Sequence, residues 1–199
     1  MIRQVSFDAP PFSRREVFRY AGCKTETEEV SRIIDQCCEE TEGRLSYRVC
    51  YDIYDLRRDG DFLSFANINT DSNTLKTAFK GCHAVLVFGA TVGAEMDRLI
   101  LKYSRLEPSK ALIMQALGAE RIESLCDAFC RDTAEKLARQ GKILMPRVSP
   151  GYGDIPLTMQ KELFALLDCP RKIGLTLSEQ QIMSPSKSVT ALAGIKYDG

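Results

Sequence analysis

Histidine is almost missing from this chain. His83 is the only one in 199 residues, so no imidazole-based metal centre can be assembled from the sequence. The eight cysteines contain no Cys-x-x-Cys pair, which removes the usual zinc and redox spacings. Cys126 and Cys130, four residues apart, are all that remains of a metal reading. Charge of one sign is missing as well. Lys plus Arg total 27 and Asp plus Glu total 27, so the basic excess of a nucleic-acid surface is not there. No apolar run is long: the strongest, Ala84 to Phe88, falls far short of a bilayer span. The N-terminus starts Met-Ile-Arg-Gln and reaches Asp8-Ala9-Pro10-Pro11 at once, unlike a signal peptide. Repeats, low-complexity tracts and linkers are not visible. The expectation is one domain over residues 1–199, cytoplasmic, without membrane or nucleic-acid partners. At that length it can bury a substantial core.

What is present reads as mixed helix and strand. Ser13-Arg14-Arg15-Glu16 and Thr25-Glu26-Thr27-Glu28 have the capping-box pattern, each opening a helix. Val30, Ile33, Ile34, Cys37 and Cys38 mark one face of the second helix, which Gly43 ends. Tyr47, Val49, Tyr51 and Ile53 alternate with polar neighbours as a half-buried strand. Arg58-Asp59-Gly60-Asp61 predicts a turn, with Phe62 to Ile68 returning antiparallel. Ser72 caps a short helix. His83 to Gly89 reads as a central strand, and a helix follows through Met96, Leu99, Ile100 and Tyr103. Pro108 starts another helix, which Gly118 is expected to kink or split. Ile122, Leu125, Cys126, Phe129, Thr133 and Leu137 continue at helical spacing until Gly141. Leu157 to Leu167 is a further helix; Ile173 to Leu177 and Val189 to Ile195 read as strands. Hairpins mixed with helix pairs, lacking a βαβ rhythm, predict an α+β fold with a largely antiparallel twisted sheet flanked by helices. Cys37, Cys126 and Cys130 lie on apolar stripes, where a free thiol acts as a small hydrophobe.

The densest chemistry is in Arg147-Val148-Ser149-Pro150-Gly151-Tyr152-Gly153-Asp154-Ile155-Pro156. Prolines fix φ and remove donors, and glycines permit positive φ. The result is a rigid irregular loop. A guanidinium leaving the end of the strand Ile143-Leu144-Met145, beside open backbone amides, suits a small ligand carrying a carboxylate. The bland alternative is a tight surface turn in which Arg147 and Tyr152 merely pack. Asp154 reads as the N-cap of the next helix. Gly89-Ala90-Thr91-Val92-Gly93 lacks the full dinucleotide fingerprint and reads as a close strand-to-helix turn.

Three separated motifs, in order, carry a family resemblance: Ala90-Thr91-Val92-Gly93-Ala94-Glu95-Met96-Asp97-Arg98, then Arg-x-x-Pro-Gly-Tyr at 147–152, then Met183-Ser184-Pro185-Ser186-Lys187-Ser188-Val189. Together the chain from Ala84 to Ile195 resembles the activation domain of cobalamin-dependent methionine synthase, most closely its small stand-alone forms. The resemblance implies a domain that binds S-adenosylmethionine and presents its methyl to a corrinoid during reductive reactivation of cob(II)alamin. Held geometry removes much of the entropic barrier to such a transfer. It implies that Arg147 holds the ligand's carboxylate end and that Val148, Ser149 and Gly151 line the adenosyl part. Tyr152 would stand near the reacting methyl, where an aromatic face attracts a sulfonium. Glu123 aligns with a helix glutamate of the same pocket; the alternative is a solvated helix charge. Met183, Ser184, Pro185, Ser186, Lys187 and Ser188 match the corrin-contacting segment, against the alternative of a solvated lysine at 187.

Two features depart from the long enzyme. Its paired tyrosines beyond the last motif have no counterpart before Tyr197-Asp198-Gly199, and its early ligand-binding aspartate has no match. The chain also lacks an Asp-x-His-x-x-Gly motif, so cobalamin is expected on a separate methionine synthase subunit. An electron donor of flavodoxin or ferredoxin type is implied too. Alternative readings are an activator of another corrinoid methyl carrier, a docking module that does not bind S-adenosylmethionine, and a thiol or metal regulator built on the cysteines.

Overall fold

The computed structural model describes residues 1–23, 25 and 27–198. Strand β1 (Arg3–Phe7) precedes helices α1 (Arg14–Ala21) and α2 (Glu28–Thr41), then the long strand β2 (Tyr47–Asp55). Short strands β3 (Arg57–Asp59), β4 (Phe62–Phe65) and β5 (Ile68–Thr70) lead to helix α3 (Asn73–Ala78) and strand β6 (Ala84–Thr91). Helices α4 (Glu95–Leu106) and α5 (Pro108–Ala138) come next, followed by strand β7 (Lys142–Val148). Helices α6 (Met159–Leu167) and α7 (Cys169–Ile173), strands β8 (Thr176–Leu177) and β9 (Met183–Ser184), and the final strand β10 (Ser188–Tyr197) complete the chain.

The main sheet has the order β1-β2-β6-β10-β7, and every neighbouring pair is antiparallel. This is the α+β architecture expected from the sequence. Helices cover both faces. On one side Val49, Leu86, Phe88 and Ala193 pack with α1, α2, α4 and α5. On the other, Val85, Val87 and Leu192 pack with α3, α6, α7 and the small sheet β3-β4-β5. The central strand β6 is therefore buried at all its positions. That double cover is why its sequence is continuously apolar rather than alternating.

Several local expectations shift. Helix α5 runs unbroken through Gly118. A Cβ there would lie 2.8 Å from Met96 Cγ and 2.9 Å from Lys187 Cε, so close approach rather than a kink explains the glycine. Ile173 to Leu177 is not a strand: Cys169–Ile173 is helical and only Thr176–Leu177 extends, pairing with Met183–Ser184. The return from the Gly60 turn breaks after Phe65, where Ala66 takes a φ of 48°, giving two strands. Thr27, not Thr25, caps α2 by accepting from Val30 N; Glu26 of that predicted box lies outside the described residues. Ser13 does precede α1, but its amide donates to Glu120 Oε1 at 2.9 Å. Glu16 turns to Arg19 instead.

Candidate functional site

Antiparallel pairing decides which loops meet. Ser188 stands opposite Thr91, and Leu192 opposite Val148. Strands β6 and β7 thus both run toward the end of the sheet where β10 begins. The turn after Thr91, the loop after Val148 and the segment 183–188 share that end. These are the three motifs singled out in the sequence.

Arg147 reaches its position through a break in strand periodicity. Between Ala193 and Ile195 the register against β7 slips, placing Met145 and Pro146 where one residue would suffice. Pro146 has no amide to donate, and an irregular edge strand tolerates it. The extra residue flips the alternation: Met145 and Val148 both pack on the α6 side, while Arg147 turns toward α5. There its Nη2 donates to Glu123 Oε2 at 2.7 Å and to Asp127 Oδ1 at 2.8 Å. The Arg147 side chain is 23% exposed. Burial works against its charge, and the hydrogen bonds to Asp127 and Glu123 outweigh that, raising the guanidinium above its ordinary value.

Asp127 was not singled out from the sequence. Its signal was there: two carboxylates at i and i+4 on one helix face repel unless a cation lies between them.

The loop itself is pinned at several points. Tyr152 N donates to Ser149 O, Ile155 N to Tyr152 O, and Gly151 N to Ile155 O. Ile155 is buried in the α6-side core. Asp154 does not cap the helix that follows it. Its carboxylate accepts from Ser72 Oγ, Asn73 N and Thr74 N and so supplements the Ser72 cap of α3, some eighty positions earlier. Those bonds hold it well below the usual carboxylate range. Gly153 (φ +59°) sits against this cap, with an added Cβ only 2.3 Å from Thr74 Oγ1. Tyr152 is 66% exposed, and Leu157, which lies against Gly151, is exposed too. Val148 and Ser149 are half-buried and Gly151 exposed.

The segment 183–188 is similarly tied down. Met183 packs on the α6-side core and Ser184 ends the short β9, while Pro185 is buried. Ser186 donates from N and Oγ to the Asp97 carboxylate on α4. Ser188 Oγ donates to Pro185 O at 2.8 Å and lies 2.9 Å from Thr91 Oγ1. Lys187 accepts from Val92 N through its carbonyl, and its stem crosses Gly118. Burial pushes its amine below the ordinary lysine value, opposed by Asp97. The turn after Thr91 keeps its own donors busy, Gly93 N binding Thr91 Oγ1. It is a structural corner rather than an open phosphate cradle.

Burial raises the thiol of Cys37 to about 12 and that of Cys130 to about 11, so both stay protonated at neutral pH. Among the described residues no group of His, Cys, Asp or Glu is arranged to hold a metal ion. Among the described residues no helix is long and apolar enough to cross a membrane.

No family model and no curated protein matches the chain. A solved structure does: the MetH reactivation domain bound to AdoHcy superposes with a TM-score of 0.72 at 15% identity, covering 100% of this chain and 79% of that one. The chain has the fold of that reactivation domain.

Proposed function

We propose that this protein binds S-adenosylmethionine at Arg147 and supports reductive methylation of cobalamin carried by a separate methionine synthase subunit. The observation that carries the reading is Arg147 bracketed by Glu123 and Asp127, on a fold shared with a domain solved with AdoHcy. One guanidinium between two carboxylates has a net charge of minus one. S-adenosylmethionine combines a carboxylate, an ammonium and a sulfonium, for a net plus one. Arg147 suits the carboxylate as a fork of donors, and Glu123 and Asp127 suit the two cationic groups. Tyr152, exposed on the loop, offers a π face to a sulfonium. Ser149 and Val148 continue the strand edge along which the adenosyl part would lie.

The corrinoid would supply the methyl-accepting metal. Met183 to Ser188 would face it from the same end of the sheet, with Lys187 available to its polar side chains. An electron donor of flavodoxin or ferredoxin type would complete the reaction. Pinning of the 149–156 loop by Ile155 and Asp154 favours a preformed site, which lowers the ordering cost of binding.

Titration calorimetry with S-adenosylmethionine, alone and with a corrinoid methionine synthase subunit, tests this. Saturable binding that Arg147→Ala removes supports it; no heat in either arm rejects it. One observation favours a second reading, a docking module for a corrinoid carrier without its own S-adenosylmethionine. Arg147 Nη2 already donates to two carboxylates, so a ligand carboxylate would have to compete with Glu123 and Asp127 for that nitrogen or settle for Nε and Nη1. Corrinoid-subunit binding that persists without any S-adenosylmethionine heat identifies that case.

A further inference from the structure

Two buried thiols outside the Arg147 site face each other on the α7 side of the sheet. Cys50 stands on β2 and Cys169 opens α7. Their sulfurs lie 3.7 Å apart, in the one thiol–thiol hydrogen bond among the described residues. Both residues are fully buried. Gly89 of β6, the partner of Cys50 in register, makes room for them. A Cβ there would lie 3.1 Å from Cys169 Sγ and 3.5 Å from Cys50 Sγ. This accounts for a glycine inside a central strand, where it otherwise weakens packing. Cys169 and Ile173, four positions apart on α7, are both buried, so one face of the helix presents the sulfur to the sheet.

A single buried thiol packs as a small hydrophobe, but two in contact can share a bond. The sulfurs must close roughly 1.7 Å to reach the ~2.05 Å of a disulfide. The two thiols are not equivalent. The hydrogen bond with Cys169 lowers Cys50 against its burial, and the Gly89 backbone and the Lys172 charge act in the same direction. The same bond, and then burial, raises Cys169. Cys50 is therefore the better nucleophile, and Cys169 keeps its proton. Helix α7 has only five residues and is bounded by two left-handed ones, Asp168 (φ 48°) and Gly174 (φ 68°). A helix this short opens locally, which admits an oxidant little larger than water.

We propose that Cys50 and Cys169 are a modification site, oxidised to a reversible disulfide with a peroxide as the oxidant. The Cys50 thiolate attacks one oxygen of hydrogen peroxide. The O–O bond breaks, and hydroxide leaves and takes up the proton Cys50 gave off, leaving a sulfenic acid. The Cys169 sulfur then attacks the Cys50 sulfur. The S–OH bond breaks, and the hydroxyl leaves as water with the Cys169 proton. The pair gives up two electrons, and hydrogen peroxide becomes two waters. The new bond ties α7 to β2. Gly174, which ends α7, leads into β8, and β8 pairs with Met183 and Ser184, so the tie reaches the base of the segment 183–188. The assignment is independent of S-adenosylmethionine binding at Arg147.

The full chain is incubated with hydrogen peroxide, its remaining thiols are alkylated after denaturation, and its peptides are mapped by mass spectrometry with and without dithiothreitol. The expected product is a monomer that has lost two hydrogens and two of its eight thiols. The peptides containing Cys50 and Cys169 should stay linked until dithiothreitol is added, and amide exchange in α7 should slow. Cys50→Ser and Cys169→Ser should each lose the crosslink. Cys82→Ser, at another buried thiol, should keep it. Oxidation confined to the half-buried Cys23, Cys38 or Cys130, a crosslink between other cysteines in its place, or a crosslink that persists in either of the first two variants would each overturn the proposal. So would thiols at 50 and 169 that survive peroxide. The wild-type map needs none of the variants, so a variant that fails to fold leaves the test intact.

Discussion

Arg147 concentrates the chemistry of the candidate site. Its fork is held by Glu123 and Asp127, so removing it does two things. It takes away the donors for a ligand carboxylate, and it leaves two carboxylates four residues apart on α5 without a cation. Arg147→Ala is expected to lower S-adenosylmethionine affinity by about tenfold to a hundredfold, read by calorimetry, on the scale of a lost charge-assisted contact. Asp127→Asn should act differently. It removes one of two negative charges that favour a cationic ligand, so affinities for S-adenosylmethionine and its neutral demethylated product should move closer together. An unchanged ratio would count against an electrostatic role for Asp127.

The loop from Ser149 to Pro156 gains its shape from two anchors on a neighbouring helix and core. Ile155 fills the α6-side core, and Ile155→Ala should cost about 2–5 kcal/mol in urea unfolding, the range for a buried aliphatic truncation. Asp154→Ala leaves Ser72 capping Leu75 N but removes the acceptor of the Asn73 and Thr74 amides at the start of α3; amide exchange should quicken at Asn73 and Thr74 and within the loop together. Exchange that rises only in the loop would separate the two elements. In α5, Gly118→Ala sets helix propensity against packing. The new methyl would press on Met96 and Lys187, so the variant should be destabilised by about 1–3 kcal/mol by overpacking even though alanine favours helix.

Charge clusters tie the helical layer together. Glu40 on α2 accepts from Tyr103 on α4 at 2.6 Å and pairs with Lys102 and with Lys110 on α5, each at 3.0 Å. Burial pushes its carboxyl upward, and the hydrogen bonds from Tyr103, Lys102 and Lys110 outweigh it, leaving the value at about 2. A depressed carboxylate stabilises the fold above its unfolded value of 4.5, and that contribution fades as pH falls through about 2. Glu40→Gln should therefore flatten stability between pH 5 and pH 2, measured by denaturant midpoints; an unchanged slope would contradict the linkage. A second buried pair, Glu120 with Arg121, staples the N-terminal segment to α5. Arg121 donates to Pro10 O and Pro11 O, and Glu120 accepts from Ser13 N.

Periodicity and turn chemistry are local, so the chain alone settled most helices, the central strand and the α+β class. The Ala84–Thr91 run was readable because burial on both faces demands continuous apolarity. Resemblance in three short motifs pointed to the reactivation-domain fold. Contacts between distant positions had no such local trace. The strand expected at Ile173 became a helix because its apolar residues face α6 and β6 across the core, where either conformation buries them. Asp154 joined the cap of α3 rather than capping its own neighbour, since only folding brings residues 72–74 beside it. The irregular register at Pro146 turned Arg147 toward α5, where strict alternation would have sent it to the opposite face. Which face a side chain takes after a one-residue slip depends on the paired strand, and that pairing exists only in three dimensions.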